Sequence, residues 1–130
     1  MTVPTVATFS AAALVAANTT FKNLIDAGTG AGSIKIRSAA DLLLAQVPLT
    51  DPCGTVNGTT GQLTLTPAGR DEAADNGGTA AYGEICDSDG TVHLALPAAA
   101  GVAFVSGYIV LNSLTIVAAT AVEVVGATIG

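Results

Sequence analysis

The apolar period of the chain changes at Gly28, and this limits the available folds more than any other feature. From Ser10 to Ala27, Leu14, Phe21, Leu24 and Ile25 recur at helical spacing, with Asn18 as a polar interruption of the stripe. Ser10 or Thr8 can cap the start of this helix and Gly28 its end. Beyond Gly28 the pattern alternates in Ser33 to Arg37 and in Gln62 to Thr66, while Leu42 to Val47 is a more continuous apolar run. Further strands are predicted over Thr79 to Asp87, Thr91 to Leu96, Val102 to Leu111 with a break at Gly107, Leu114 to Ala118, and Ala121 to Ile129. The turn signals between them are Asp87-Ser88-Asp89-Gly90, Pro97 to Gly101, Asn112-Ser113 and Ala119-Thr120. With no second helix to make parallel crossovers, the expected fold is mainly β: an antiparallel β-sandwich of seven to eight strands with one N-terminal helix at 10–27. An extended N-terminal arm, 1–9, precedes this single domain of residues 10–130.

Charge narrows the partners. Lys22, Lys35, Arg37 and Arg70 face ten acids, for a net charge of −6 in 130 residues. Neither a run of phosphates nor an anionic lipid surface is matched by that balance, so nucleic acid and membranes are poor partners. Only 11% of residues are charged, well below the usual quarter. The remaining Ala, Gly, Thr and Val surface loses little rotamer entropy when immobilised, which suits packing against neighbouring copies in a homo-oligomer or a larger assembly. Asp89 and Glu123 bracket a stretch without formal charge. Pro97, Gly101 and Gly107 interrupt it, so strands explain it better than a membrane helix.

The apolar start, Met1 to Ala17, lacks a basic segment and carries Pro4, so no signal peptide is expected and synthesis is placed in a reducing cytoplasm. There Cys53 and Cys86 are expected to be free thiols, since no CxxC or neighbouring histidine makes them a metal or redox pair. Thr50 to Gly61 and Pro67 to Gly78 read as mobile or binding loops, the second holding Arg70, Asp71, Glu72 and Asp75.

No catalytic, metal or cofactor signature stands out. Gly28 to Gly32 has the glycines of a phosphate loop, but a helix precedes and a strand follows it, the reverse of the dinucleotide and P-loop order. Asp87 to Gly90 opens like a calcium loop without the later acids, and a hairpin turn accounts for it. His93 is the only imidazole and has no nucleophile elbow with it. The pairs Asp71 with Asp75 and Asp87 with Asp89 read as solvated loop acids, because no apolar run adjoins them to raise a pKa. Tyr82 and Tyr108 are the only tyrosines available to a sugar-binding surface.

A resemblance emerges from the order of several segments. These are Leu24 to Gly32 entering Ile34-Lys35-Ile36, Gln62-Leu63-Thr64 after a glycine turn, Gly78 to Tyr82 leading into Ile85 to Thr91, and Leu111 to Ile116 followed by Val122 to Ile129. In that order the chain resembles a family of small virion structural proteins of tailed bacteriophages over about residues 20–130. Arg37 to Ala40 stands where that family has an aromatic and a Gly-Thr-x-Pro-like turn. The resemblance implies a non-enzymatic role as a capsid decoration or cement protein on the virion exterior, with the major capsid protein or copies of itself as partner. A tail or baseplate component, or a host-glycan adhesion module, is the alternative. The apolar arm is the expected gripping element, since an extended terminus can add a strand to a neighbour's sheet edge. Its partner-binding residues are then Thr2, Val3, Pro4, Thr5, Val6 and Phe9.

Overall fold

The computed structural model describes residues 9–130. Helix α1 (Ala11–Asp26) is followed by eight strands: β1 (Ser33–Ser38), β2 (Leu43–Val56), β3 (Leu63–Pro67), β4 (Gly78–Cys86), β5 (Val92–Ala100), β6 (Ile109–Leu111), β7 (Thr115–Ile116) and β8 (Val124–Ile129). The mainly-β class and the one N-terminal helix are as the periodicity predicts. Ser10 caps α1, its hydroxyl accepting from Ala13 N at 3.1 Å. At the other end Gly28 takes φ +106°, a conformation that favours glycine.

The strands do not stack as two sheets. They follow the order β1-β2-β3-β8-β6-β5-β4, and β4 pairs again with β1, closing a seven-stranded barrel to which β7 is appended on β4. Nor is the pairing wholly antiparallel, because β5 and β6 run parallel through Ala98↔Ile109 to Ala100↔Leu111. Two strands that change partners along their length make closure possible. β2 pairs with β1 up to Pro48, then shifts register between Leu49 and Gly54 and continues along β3. Thr50 to Val56, read from sequence as a loop, therefore belongs to a bent strand. Gly54 is needed there, since a Cβ at that position would lie 2.1 Å from Thr64 O. Similarly β5 pairs with β4 up to Pro97 and with β6 from Ala98. Pro97, expected to end the strand, instead sits at the change of partner, opposite Tyr82 of β4 and one residue before β6 pairing begins.

Inward-facing residues fill the barrel. Ile34 and Ile36 of β1 meet Val47 and Ala45 of β2, Leu63 and Leu65 of β3 meet Ile129 and Ala127 of β8, and Ile85 meets Leu94. Gly83 makes room for Ile109 across the interior, a Cβ there lying 2.2 Å from the Ile109 Cδ1. The alternation expected for Val92, Leu94 and Leu96 holds for the last two only, because the β4–β5 register shifts between Ile85 and Cys86 and leaves Val92 exposed.

Helix α1 crosses the end of the barrel where β1 and β3 begin and β8 finishes. Its Ile25 is fully buried against Gly32, and Asn18 donates to Gly61 O at 2.7 Å and Ile129 O at 3.1 Å. Asp26 accepts from Cys53 N at 2.7 Å and from Lys22 Nζ at 3.0 Å, tying the last turn to β2.

Candidate functional site

Two surface features stand out: a groove lined by carboxylates, and an uncharged apolar ridge on the outside of the barrel.

The groove, of about 580 Å³, lies over the outer face of β1 and β2 and brings together both carboxylate pairs singled out above, Asp71 with Asp75 and Asp87 with Asp89. Among the described residues Lys35 is the one cation lining it, and Ser33, Gln46 and Ser88 contribute polar atoms. Two of the four acids are engaged in holding the backbone. Asp71 accepts from Gln46 N at 2.9 Å and Ala73 N at 3.0 Å. Asp87 accepts from Asp89 N and Thr91 N, each at 3.0 Å, and lies 2.9 Å from His93 Nε2. The His93 hydrogen bond, followed by the two backbone N–H groups, holds the Asp87 carboxyl below its ordinary value against the opposing effect of burial. Residues 87–90 form the β4–β5 hairpin turn expected of them, with Gly90 at φ +85° and Gly90 N donating to Asp87 O at 3.1 Å. Among the described residues no group of three His, Cys, Asp or Glu is arranged to hold a metal ion.

The segment Pro67 to Gly78, anticipated as a mobile loop, is instead bound down along its length. Asp71 and Val122 form a two-way backbone bridge, Asp75 N donates to Leu44 O at 2.8 Å, and Ala74 is buried. Short polar sequence hid this, because the bonds that fix the segment come from residues 43–48 and 119–122.

Tyr82 lies on β4 and Tyr108 in the segment just ahead of β6, with β5 between those two strands. Tyr82 donates to Asp41 Oδ1 at 2.7 Å beside the Arg37–Glu84 ion pair, and the Asp41 carboxylate raises its phenol pKa. Cys53, read from sequence as part of a mobile or binding loop, is buried in β2. Burial and then the Asp26 carboxylate push its thiol up to about 12, and burial also raises Cys86. Both cysteines are free.

The ridge arises from topology. A strand that ends at one end of a barrel and is followed by a parallel neighbour must be connected by a return segment, and here the filled interior leaves only the outside. Residues 101–108 make that return without a helix. Their sequence reads as the start of a long strand, yet only Ile109–Leu111 is β. The return segment covers outward residues of β6 and β8. Val110 and Thr128 are buried although neither belongs to the barrel core, and the Phe104 ring occupies the space a Cβ on Gly126 would take, 2.2 Å from its Cε1. Gly107 N donates to Thr128 O at 2.8 Å. Tyr108 N donates to Val105 O at 3.1 Å, with Gly107 at φ +80°, which makes Val105 to Tyr108 a type II turn. The segment is thus held in shape while its apolar side chains stay outside: Val102 is 92% exposed, Phe104 53%, Val105 46% and Tyr108 39%. A Ser-Gly dipeptide at 106–107 was the available sequence signal for this turn.

Of the partner-binding residues expected in the arm, Thr2, Val3, Pro4, Thr5 and Val6 lie outside the described residues, and Phe9 is 73% exposed ahead of α1. No helix is long and apolar enough to cross a membrane among the described residues. Comparison with protein-family models, curated proteins and solved structures found no match to this sequence or fold.

Proposed function

We propose that this chain is a non-enzymatic assembly protein of a virion, most concretely a decoration or cement protein held on the capsid of a tailed bacteriophage. The observation that carries the assembly reading is the ridge of Val102, Phe104, Val105 and Tyr108. Large apolar side chains grouped on a preformed surface mark a protein contact, whereas scattered ones do not. The capsid itself is drawn from the resemblance of residues 20–130 to small tailed-phage virion proteins. The N-terminal arm remains the proposed grip on the lattice, and barrel closure narrows its target. A ring of seven paired strands offers no full-length edge for strand addition, so an arm that adds as a strand does so on another protein, the major capsid protein.

Cryo-electron microscopy of particles assembled with and without this chain tests the reading. Copies in lattice symmetry on the head, lost when residues 1–9 are deleted, are the expected result. A few copies at the tail would make it a tail component, and no density on any particle would remove the virion reading altogether.

A further inference from the structure

We infer that the ridge formed by the β5–β6 return segment is a self-association surface, covered by the same ridge of a second copy of this chain. The inference deepens the assembly reading and rests on it for the premise that the ridge is a protein contact.

Charge selects the occupant. Each copy carries −6, so two copies approach at low cost only through a face without formal charge, and the run between Asp89 and Glu123 is the longest such stretch in the sequence. The ridge lies in the middle of that run. Four of the ten acids, Asp71, Asp75, Asp87 and Asp89, line the groove over β1 and β2, which would be the face to attract a cationic partner. Against itself, an uncharged apolar surface is complementary, as a two-fold contact requires.

Shape and order favour the same partner. The type II turn at Val105 to Tyr108, the Gly107–Thr128 bond and the seating of Phe104 on Gly126 fix the ridge before any partner arrives, so little ordering entropy remains to oppose association. Four side chains exposed to these extents offer on the order of 400 Å² per copy, or about 800 Å² for a two-fold contact. That lies below the roughly 1,200 Å² of a stable interface, which makes the dimer weak in solution and populated where copies are crowded.

Sedimentation velocity on the full chain from about 10 µM to about 1 mM tests this, a range suited to micromolar or weaker association. The wild type is expected to shift from monomer toward dimer across it. Val102→Asp and Val102→Lys change a side chain that is 92% exposed, and both are expected to weaken the dimer by about tenfold or more with unchanged thermal melting. The lysine variant makes the net charge less negative, so weakening in both separates a local contact from general repulsion. A wild type monomeric throughout, or a dimer indifferent to both variants, overturns the inference. Failure here is distinguishable from failure of the assembly reading. A monomeric protein that still decorates particles, with decoration blocked by Val102→Asp, assigns the ridge to a different protein and leaves assembly standing. Flotation with neutral phosphatidylcholine vesicles in place of self-association overturns it in favour of a lipid surface.

Discussion

The side-chain amide of Asn18 donates to the Gly61 carbonyl oxygen at 2.7 Å, and this bond fastens α1 to the turn that leads into β3. The same nitrogen reaches Ile129 O, so one buried side chain joins the helix to the turn ahead of β3 and to β8. Asn18 is the interruption in the helical stripe, and its polarity is what the site requires.

Asn18→Ala is therefore expected to destabilise the protein by about 1–3 kcal/mol, because it leaves two carbonyl oxygens short of a partner and opens a small void. Scanning calorimetry should show a melting temperature lower by roughly 5–15 °C. A change of less than about 2 °C would mean that the helix is held by its apolar face alone.

Two glycines should respond differently to alanine. At Gly54 a Cβ would meet backbone, Thr64 O at 2.1 Å, whereas at Gly83 it would meet the tip of the Ile109 side chain. Gly54→Ala must distort the β2–β3 ladder, so its cost is expected at or above the upper end of about 1–3 kcal/mol for overpacking, and that of Gly83→Ala near the lower end. Urea titrations of the two variants rank them, and equal midpoints would refute the assignment.

Both thiols should be inert in the folded protein. Cys53 is held at about 12 by burial and by the Asp26 carboxylate, so almost no thiolate is present near neutrality. A thiol-disulfide reagent at pH 8 is expected to titrate the pair only after denaturant is added. Rapid reaction of Cys53 without denaturant would show that the α1–β2 contact opens readily.

Acid should loosen the β4–β5 hairpin through Asp87. Its folded pKa lies below the ordinary value of 3.8, so its contribution to stability is present above that pH and lost as the pH falls through the folded value. Asp87→Asn should remove that part of the acid dependence, leaving a shallower fall in melting temperature below about pH 4 than in the wild type. Parallel slopes for the two proteins would show that the bond between Asp87 and His93 has no role in acid stability.

Local signals carried much of this fold. The helix was legible within one residue at each end because its cap, stripe and terminating glycine are contiguous in sequence. Ser33 to Arg37, Gln62 to Thr66 and the Asp87 to Gly90 turn were legible for the same reason. Closure was not, since it depends on β1 meeting β4 across more than forty residues, a pairing that no alternation encodes. Pro52, Gly54 and Pro97 misled because the same residues that end strands also permit a strand to bend or change partner. The groove was missed as a site because its two carboxylate pairs are adjacent only once the hairpin turn and the bound-down segment 68–77 flank the same strands. For the ridge, Val102 to Tyr108 matched a strand pattern, and only the parallel β5–β6 pair puts that segment outside the barrel.

Barrel closure also bears on how many copies can be kept in a small volume. An open sheet of this composition, half hydrophobic and sparsely charged, would present strand edges on which foreign or identical chains could template cross-β aggregates. With its seven strands paired around the ring, this chain withholds that template, and the short β7 adds only two residues of border. A protein of this composition can then be made and concentrated in quantity without turning to fibres.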